Sequence, residues 1–254
     1  GQDCDIMVAK HNVSRKDQDL FAKRSHDNAE KAWEAGHHQK EVVPVEIEPD
    51  FKMIKKDNGI RSGTPIEKLT KLKPAFDKKH GTLTAANSSF LTDGSAVCLI
   101  MTESKAKKLG FTPKAEIVDY CFTGQRLEDE LLLGPAYAMS KVLDQTKLSL
   151  NDIDVFEIHE AFAGQVLTNI KCLADDDFCK VELQKEKPVG EIDINKVNKW
   201  GGSLSIGHPF GATGARLLTT AANRLIEENG QYAMLSACAA GAHGHAMIIK
   251  KYEG

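Results

Sequence analysis

From residue 94 onward, strand-sized apolar runs alternate with longer amphipathic stretches, and Gly or Pro sits at most of the junctions. Residues 96–101 form a continuous apolar run, 102–109 a short helical pattern closed by Gly110, and 114–122 a strand pattern. A helix is predicted over 135–146 with Pro135 in its first turn, then a strand over 154–158 and a helix over 160–173. The spacing further predicts a strand at 203–206, a helix at 211–228, and closing strands at 232–237 and 245–250. Few architectures accept that order. It predicts an α/β fold in layers, a mixed sheet with helices on both faces.

The first third has another texture. Residues 14–35 read as an amphipathic helix with Ser14 as cap, Asp17 three residues on, and Gly36 closing it. Phe21, Ala22, Ser25, Ala29, Ala32 and Trp33 share one stripe of that helix. A short strand is predicted at 41–47. Residues 49–80 are polar and broken by Pro and Gly, which predicts an extended loop with one short helix. This third reads as an excursion and not as a self-sufficient core. Residues 171–199, with Asp175, Asp176 and Asp177, read as a surface insertion.

Composition excludes several classes. A chain of 254 residues, 41% hydrophobic, with net charge −3, fits a soluble globular protein of one large or two ordinary domains. That charge balance argues against nucleic acid as the main partner. The run at 96–101 is the longest apolar one and is far too short to span a bilayer. No secretory leader is visible and the first residue is Gly1, so a longer or processed product is expected. Six cysteines without a CxxC pair argue against a disulfide framework or zinc site and for a reducing compartment. Cys98 and Cys172 fall in apolar patterns and are expected in the core. The histidines lack ligand spacing with carboxylates, so no metal is expected. Residues 52–79 are rich in Lys and Arg, Arg61 among them. They read either as a solvated face or as a patch for a phosphorylated cofactor or an anionic membrane surface.

The chemistry concentrates in two glycine-rich blocks. Gly207-His208-Pro209-Phe210-Gly211-Ala212-Thr213-Gly214 puts a histidine on a rigid loop that opens a helix. Cys238-Ala239-Ala240-Gly241 puts a cysteine at a strand end before a run of small residues, where backbone can approach a ligand. His159, His208 and Cys238 are expected at or just past the C-terminal ends of strands, the edge where open α/β sheets place their ligands. A base, a thiol of near-neutral pKa and bare N–H groups suit chemistry on a thioester or a carbon acid.

Four blocks together resemble the thiolase family. They are Thr84-Ala85-Ala86-Asn87-Ser88-Ser89 with Asp93-Gly94, His159-Glu160-Ala161-Phe162, the Gly207–Gly214 block, and Cys238-Ala239-Ala240-Gly241-Ala242-His243-Gly244. The resemblance covers essentially the whole chain and is nearest to a mitochondrial branch whose members act beside a hydratase/dehydrogenase α subunit. It implies a layered thiolase-type fold of which only the C-terminal half is complete. Residues 1–88 would be a CoA-binding loop excursion. Residues 89–112 would be the closing strand and helix of an otherwise missing N-terminal α/β half, and 113–254 the C-terminal domain.

The same resemblance implies an acyl-CoA:acetyl-CoA acyltransferase that cleaves 3-ketoacyl-CoA thiolytically in fatty-acid β-oxidation, with coenzyme A as substrate and no metal. His208 would activate a nucleophilic cysteine carried by the missing half, whether clipped off or on a separate chain. Cys238 would move the carbon-bound proton, His159 would donate to the enolate oxygen, and the Ala240 N–H would complete an oxyanion hole. Arg61 would meet the CoA nucleotide, and Ser89, Ala161 and Phe162 its pantetheine arm. A homodimer, an α-subunit partner, a peripheral membrane contact and a mitochondrial location are implied as well. Two alternatives stand beside this: a non-catalytic thiolase-like subunit that binds CoA esters or acts as scaffold, and an acyl hydrolase using Cys238 itself. One residue departs from the family pattern, Ala242 in place of Gly. Its methyl is tolerated at negative φ and costly at positive φ.

Overall fold

The apolar runs near 155, 235 and 247 meet in one sheet. The computed structural model describes residues 1–128 and 130–254. In chain order the elements are α1 (Gln2–Lys10), α2 (Arg15–Glu34), β1 (Val45–Ile47), β2 (Lys52–Ile54), α3 (Ile66–Thr70) and α4 (Glu103–Leu109). Then come β3 (Ala115–Gly124), α5 (Gly134–Thr146), β4 (Val155–Ile158), α6 (Ala163–Ala174) and α7 (Asp176–Val181). The last are α8 (Ser203–Ile206), α9 (Thr213–Glu227), β5 (Tyr232–Ala239) and β6 (His243–Lys251). The sheet runs β3-β6-β5-β4; β4 and β5 are parallel and the other pairs antiparallel, with a register shift between Ile117 and Asp119 on β3. β1 and β2 form a separate antiparallel pair.

Every residue of β4 is buried. Its alternate side chains enter two different layers. Val155 joins Leu217, Ala221 and Leu225 of α9, together with Ala233, Leu235 and Ile249. Phe156 and Ile158 join the larger core on the opposite face, with Met139 and Val142 of α5, Val166 of α6, Met234 and Ile248. Burying a side chain such as Phe156 stabilises the fold by about 1.5–3 kcal/mol. The mixed sheet with helices on both faces is therefore as the pattern predicts.

Local signals also act as expected. The Ser14 hydroxyl accepts the Asp17 N–H at 3.1 Å and opens α2. α4 closes on Gly110 at φ 74°, a left-handed position that suits glycine. Gly134 and Gly244 bring the start of α5 against β6 so closely that a Cβ on either would collide with the other's backbone.

Five expectations need correction. Residues 203–206 form a helical turn, α8, and not a strand. The Ser205 hydroxyl accepts the Gly202 N–H at 3.2 Å and donates to the Gly202 carbonyl at 2.9 Å, which folds the chain back on itself. Residues 96–101 pair with no strand among the described residues; Val97 is 88% and Leu99 73% exposed. Cys98, on the same run, is exposed and not in the core, whereas Cys172 is buried. The 171–199 stretch is not a surface insertion alone, because Leu173, Phe178, Cys179, Ile192 and Val197 are buried. Finally, α1 was not foreseen, and its Cys4, Met7 and Val8 join the larger core.

Candidate active site

Asn198, at φ 45°, prolongs β4 with its side chain. Its Oδ1 accepts the Ile158 N–H at 2.8 Å, and its Nδ2 donates to the Ile158 carbonyl at 2.8 Å and to Glu160 Oε1 at 2.6 Å. Glu160 is fully buried, and burial raises its pKa against the hydrogen bonds it accepts. Its other oxygen takes the Ser25 hydroxyl at 2.7 Å and the Leu204 N–H at 3.1 Å. One carboxylate thus joins the end of β4, helix α2 and the start of α8. Gly202 has to be glycine here, since a Cβ would collide with that carboxylate.

The clamp fixes the two loops that carry the histidines. His159 follows β4 directly, and its N–H donates to the Ser236 carbonyl of β5 at 2.8 Å. His208, expected from sequence just past a strand, instead sits between α8 and α9, after Gly207 at φ 93°. The two imidazole rings lie 3.9 Å apart between centroids, tilted by 36°. Burial lowers both pKa values, helped for His159 by His208 and Arg216 and for His208 by Arg216. Both rings are therefore neutral at neutral pH.

The hydrogen bonds define the tautomer of His208. The Thr213 hydroxyl donates to the Pro209 carbonyl at 3.3 Å and lies 2.6 Å from His208 Nδ1. It therefore accepts the Nδ1–H, and Nε2 is left with a free lone pair, the form of a base.

Cys238 lies on β5, two residues beyond Ser236, at the same end of the sheet. Burial pushes its thiol up to about 12. That differs from the near-neutral thiol expected from sequence: a side chain this buried is a held proton and not a thiolate. Cys238 is close enough to Cys4 of α1 to raise the Cys4 pKa electrostatically, on top of the larger effect of Cys4's own burial. After Cys238 the β5–β6 hairpin turns through Ala240, Gly241 and Ala242. Ala240 is exposed, and Gly241 and Ala242 hold φ of 84° and 57°. The methyl of Ala242 therefore stands in the conformation where it is costly.

Arg61 lines a cavity of about 740 Å³ together with Lys23, His26, Ala86, Phe90 and Leu204. Its N–H donates to His26 Nδ1 at 3.1 Å, and its Nη1 to the Asn58 and Ile60 carbonyls at 2.7 and 3.0 Å. Burial and the Arg61 charge push His26 down to about 4, so it remains a neutral acceptor. The structure brings Ser89, Ala161 and Phe162 together elsewhere. The Ser89 N–H donates to the Ala161 carbonyl at 2.9 Å, and Ser88 bridges Phe162. These three stand outside the residues that line the Arg61 cavity. Among the described residues no cluster of His, Cys, Asp and Glu is arranged for a metal ion.

Sequence reasoning passed over Ser203, Arg216 and Asn198 and gave Glu160 no role. The signal for Asn198 was the residue type itself, which tolerates positive φ and can imitate backbone. Ser203 was hidden by the strand reading of 203–206.

Comparison with known proteins adds the following. The pattern described as thiolase, C-terminal domain, matches residues 111–251, and that of thiolase, N-terminal domain, matches 1–104. A probable 3-ketoacyl-CoA thiolase of Caenorhabditis elegans is 54% identical over 253 residues, 99% of this chain and 56% of that protein. The mitochondrial trifunctional enzyme subunit beta of Homo sapiens is 51% identical over 252 residues, 99% of this chain and 52% of that protein. Among solved structures, the Bacillus anthracis acetyl-CoA acetyltransferase superposes with a TM-score of 0.86 at 36% identity, over 98% of this chain and 59% of that one. The human mitochondrial 3-ketoacyl-CoA thiolase in complex with CoA gives 0.81 at 32%, over 98% and 58%. The chain spans about half the length of the curated relatives it matches.

Proposed function

The chain belongs to the thiolase family, and we propose that it contributes the acid, the base and the CoA-facing surface of a 3-ketoacyl-CoA thiolase. The nucleophilic cysteine would come from a complementary N-terminal half. The observation that carries this reading is the His208–His159 ring pair, 3.9 Å between centroids, at the end of the sheet where β5 carries the buried Cys238 thiol.

His208 Nε2 takes the proton of the nucleophilic thiol. The thiolate adds to the 3-keto carbon, and the C2–C3 bond breaks with its electrons on the acetyl-CoA enolate. Cys238 gives its S–H proton to that carbon. A thiol pushed up to about 12 is fully protonated at neutral pH, and so loaded for this step. His159 donates to the enolate oxygen, and the Ala240 N–H to the oxyanion of the acyl group. The proton held by His208 passes to Cys238; His208 then takes the CoA thiol proton, the CoA sulfur adds to the acyl carbon, and the nucleophilic cysteine leaves and takes that proton.

Arg61 faces the nucleotide end of CoA from its cavity, with Ser89, Ala161 and Phe162 along the arm. In this reading 1–88 is the CoA-binding excursion, 89–112 closes the complementary half, and 113–254 is the C-terminal domain. The exposed run at 96–101 would be a strand of the complementary half's sheet. A homodimer, an α-subunit partner, contact with a membrane surface and a mitochondrial setting accompany it, in line with the relatives named as mitochondrial.

The test uses the full-length protein with a 3-ketoacyl-CoA. Mass mapping is expected to find the acyl adduct on a cysteine outside residues 1–254. His208→Ala should slow its formation by about 10²–10⁴-fold. Cys238→Ala should block C–C cleavage, yet still let a pre-formed acyl-enzyme pass its acyl group to CoA. An adduct on Cys238 itself would replace the reading with a hydrolase. CoA-ester binding without any adduct would replace it with a non-catalytic subunit.

A further inference from the structure

Arg216 and Arg224 stand two turns apart on α9 and are treated differently by the fold. Arg224 is fully satisfied: its guanidinium donates to Glu157 at 2.6 Å, Glu228 at 2.8 Å, and the Phe156 and Lys196 carbonyls at 3.1 and 3.0 Å. Arg216 has Nε and Nη1 buried without an acceptor among the described residues. Its Nη2 points to one group, the Ser203 hydroxyl, at 3.4 Å. That hydroxyl is fully buried and lies 2.8 Å from His159 Nδ1.

A guanidinium only donates, so the Ser203 oxygen is the acceptor toward Arg216. Among the described residues the only other partner of this hydroxyl is His159. A buried O–H without an acceptor is costly, so the proton goes to His159 Nδ1. That nitrogen is then the bare one, and the ring's own proton sits on Nε2, the edge turned away from Ser203. Arg216 feels the carboxyl groups of Asp57, Glu157 and Glu160 only through space, so Ser203 remains the acceptor its guanidinium touches, and the contact draws the oxygen lone pair toward it.

We propose that Arg216 and Ser203 are a positioning pair that locks His159 as the Nε2–H tautomer, a fixed hydrogen-bond donor. The neighbouring ring is locked the other way, since Thr213 takes the Nδ1–H of His208 and leaves its Nε2 basic. Two neighbouring histidines are thereby kept apart in function, one donating and one accepting. The inference deepens the proposed acyl transfer, in which His159 donates to the enolate oxygen. Neither Arg216 nor Ser203 touches substrate in it.

The experiment is ¹⁵N-histidine NMR of the full-length protein, read beside steady-state thiolysis. In the wild type, His159 should show a bare Nδ1 and a protonated Nε2. Ser203→Ala should give a mixture of tautomers, with kcat lowered at least about tenfold at unchanged KM. Ser203→Thr, which keeps the hydroxyl, should restore the single tautomer. Arg216→Gln should loosen it, because an amide can also accept from the hydroxyl. A protonated Nδ1 in the wild type overturns the proposal, and so does an unchanged tautomer in Ser203→Ala. Should Ser203→Ala fail to fold, the wild-type spectrum and Arg216→Gln still decide. A locked tautomer in a protein without thiolysis would uphold the pair and reject the acyl-transfer reading alone.

Discussion

Residues 96–101 and strand β4 are apolar runs of similar kind, and they end in opposite places. Val155, Phe156 and Ile158 of β4 are at most 1% exposed. Val97 and Leu99 project into solvent, and so does Ile100 at 62%. The difference lies in the neighbours. β4 has β5 along one edge, paired from Val155 to Ile158, and α9 and α5 over its two faces. The 96–101 run has no edge partner among the described residues. Apolar character supplies a reason to be buried, and hydrogen-bonding edges decide whether a strand can be.

The sharpest way to break that comparison is to truncate one side chain in each run. Phe156→Ala is expected to cost the 254-residue chain about 3–5 kcal/mol. Leu99→Ala is expected to stay within about 0.5 kcal/mol, as for a surface change. Urea unfolding measures both. In a protein that also carries the complementary half, Leu99→Ala should rise to about 2–5 kcal/mol. Equal costs for the two in the 254-residue chain would mean that 96–101 is packed in solution after all. A Leu99→Ala that stays silent in the longer protein would remove this run from any sheet.

What the sequence made legible follows the same division. β4, β5, β6 and α9 could be read because their periodicity and their packing agree. The run at 96–101 reads as a strand from its apolar character, yet it finds no strand partner among the described residues. α8 was misread for another reason. Ser203-Leu204-Ser205-Ile206 alternates like a strand, but Ser205 closes onto the Gly202 backbone and sets a helical turn. Of the candidate site, the two histidine blocks and the cysteine hairpin announced themselves. Their supports did not. Asn198, Ser203 and Arg216 act through geometry that joins residues far apart in sequence. The Cys238 proton is likewise held by burial, which a motif does not display.

Acid should act on the packed side of the comparison. His26 on α2 is pushed down to about 4 from an ordinary 6.5, first by burial and then by Arg61. A lowered histidine pKa gives stability that is whole above pH 6.5 and is lost as pH falls toward about 4. Allowing for partial exposure, His26 accounts for about 1–2 kcal/mol of that loss. Thermal melts from pH 7 to pH 4 should be correspondingly flatter for His26→Gln. An identical slope would show that His26 does not hold the Arg61 loop.

The smallest effect concerns the hairpin. Ala242 is buried at φ 57°, and Ala242→Gly should relieve the left-handed strain at the loss of one buried methyl. The expected gain is about 1 kcal/mol, read as a higher Tm. A lower Tm would show that the methyl packs better than its backbone suffers.

Asn198 has one more consequence. Its amide occupies both the N–H and the carbonyl of Ile158, and its own N–H donates to the Phe156 carbonyl at 2.9 Å. Val197 bridges Phe156 as well. The outer flank of β4 therefore has its bonding valence filled by a loop, and the sheet cannot grow there. Growth is left to the other flank, β3, where the register shift at Ile117–Asp119 bends the edge and discourages an incoming strand. The sheet is plugged at one end and bent at the other, so its own chain's unpaired run finds no berth on it. Where apolar pieces need joining without mistakes, a filled edge selects as firmly as a matching one attracts.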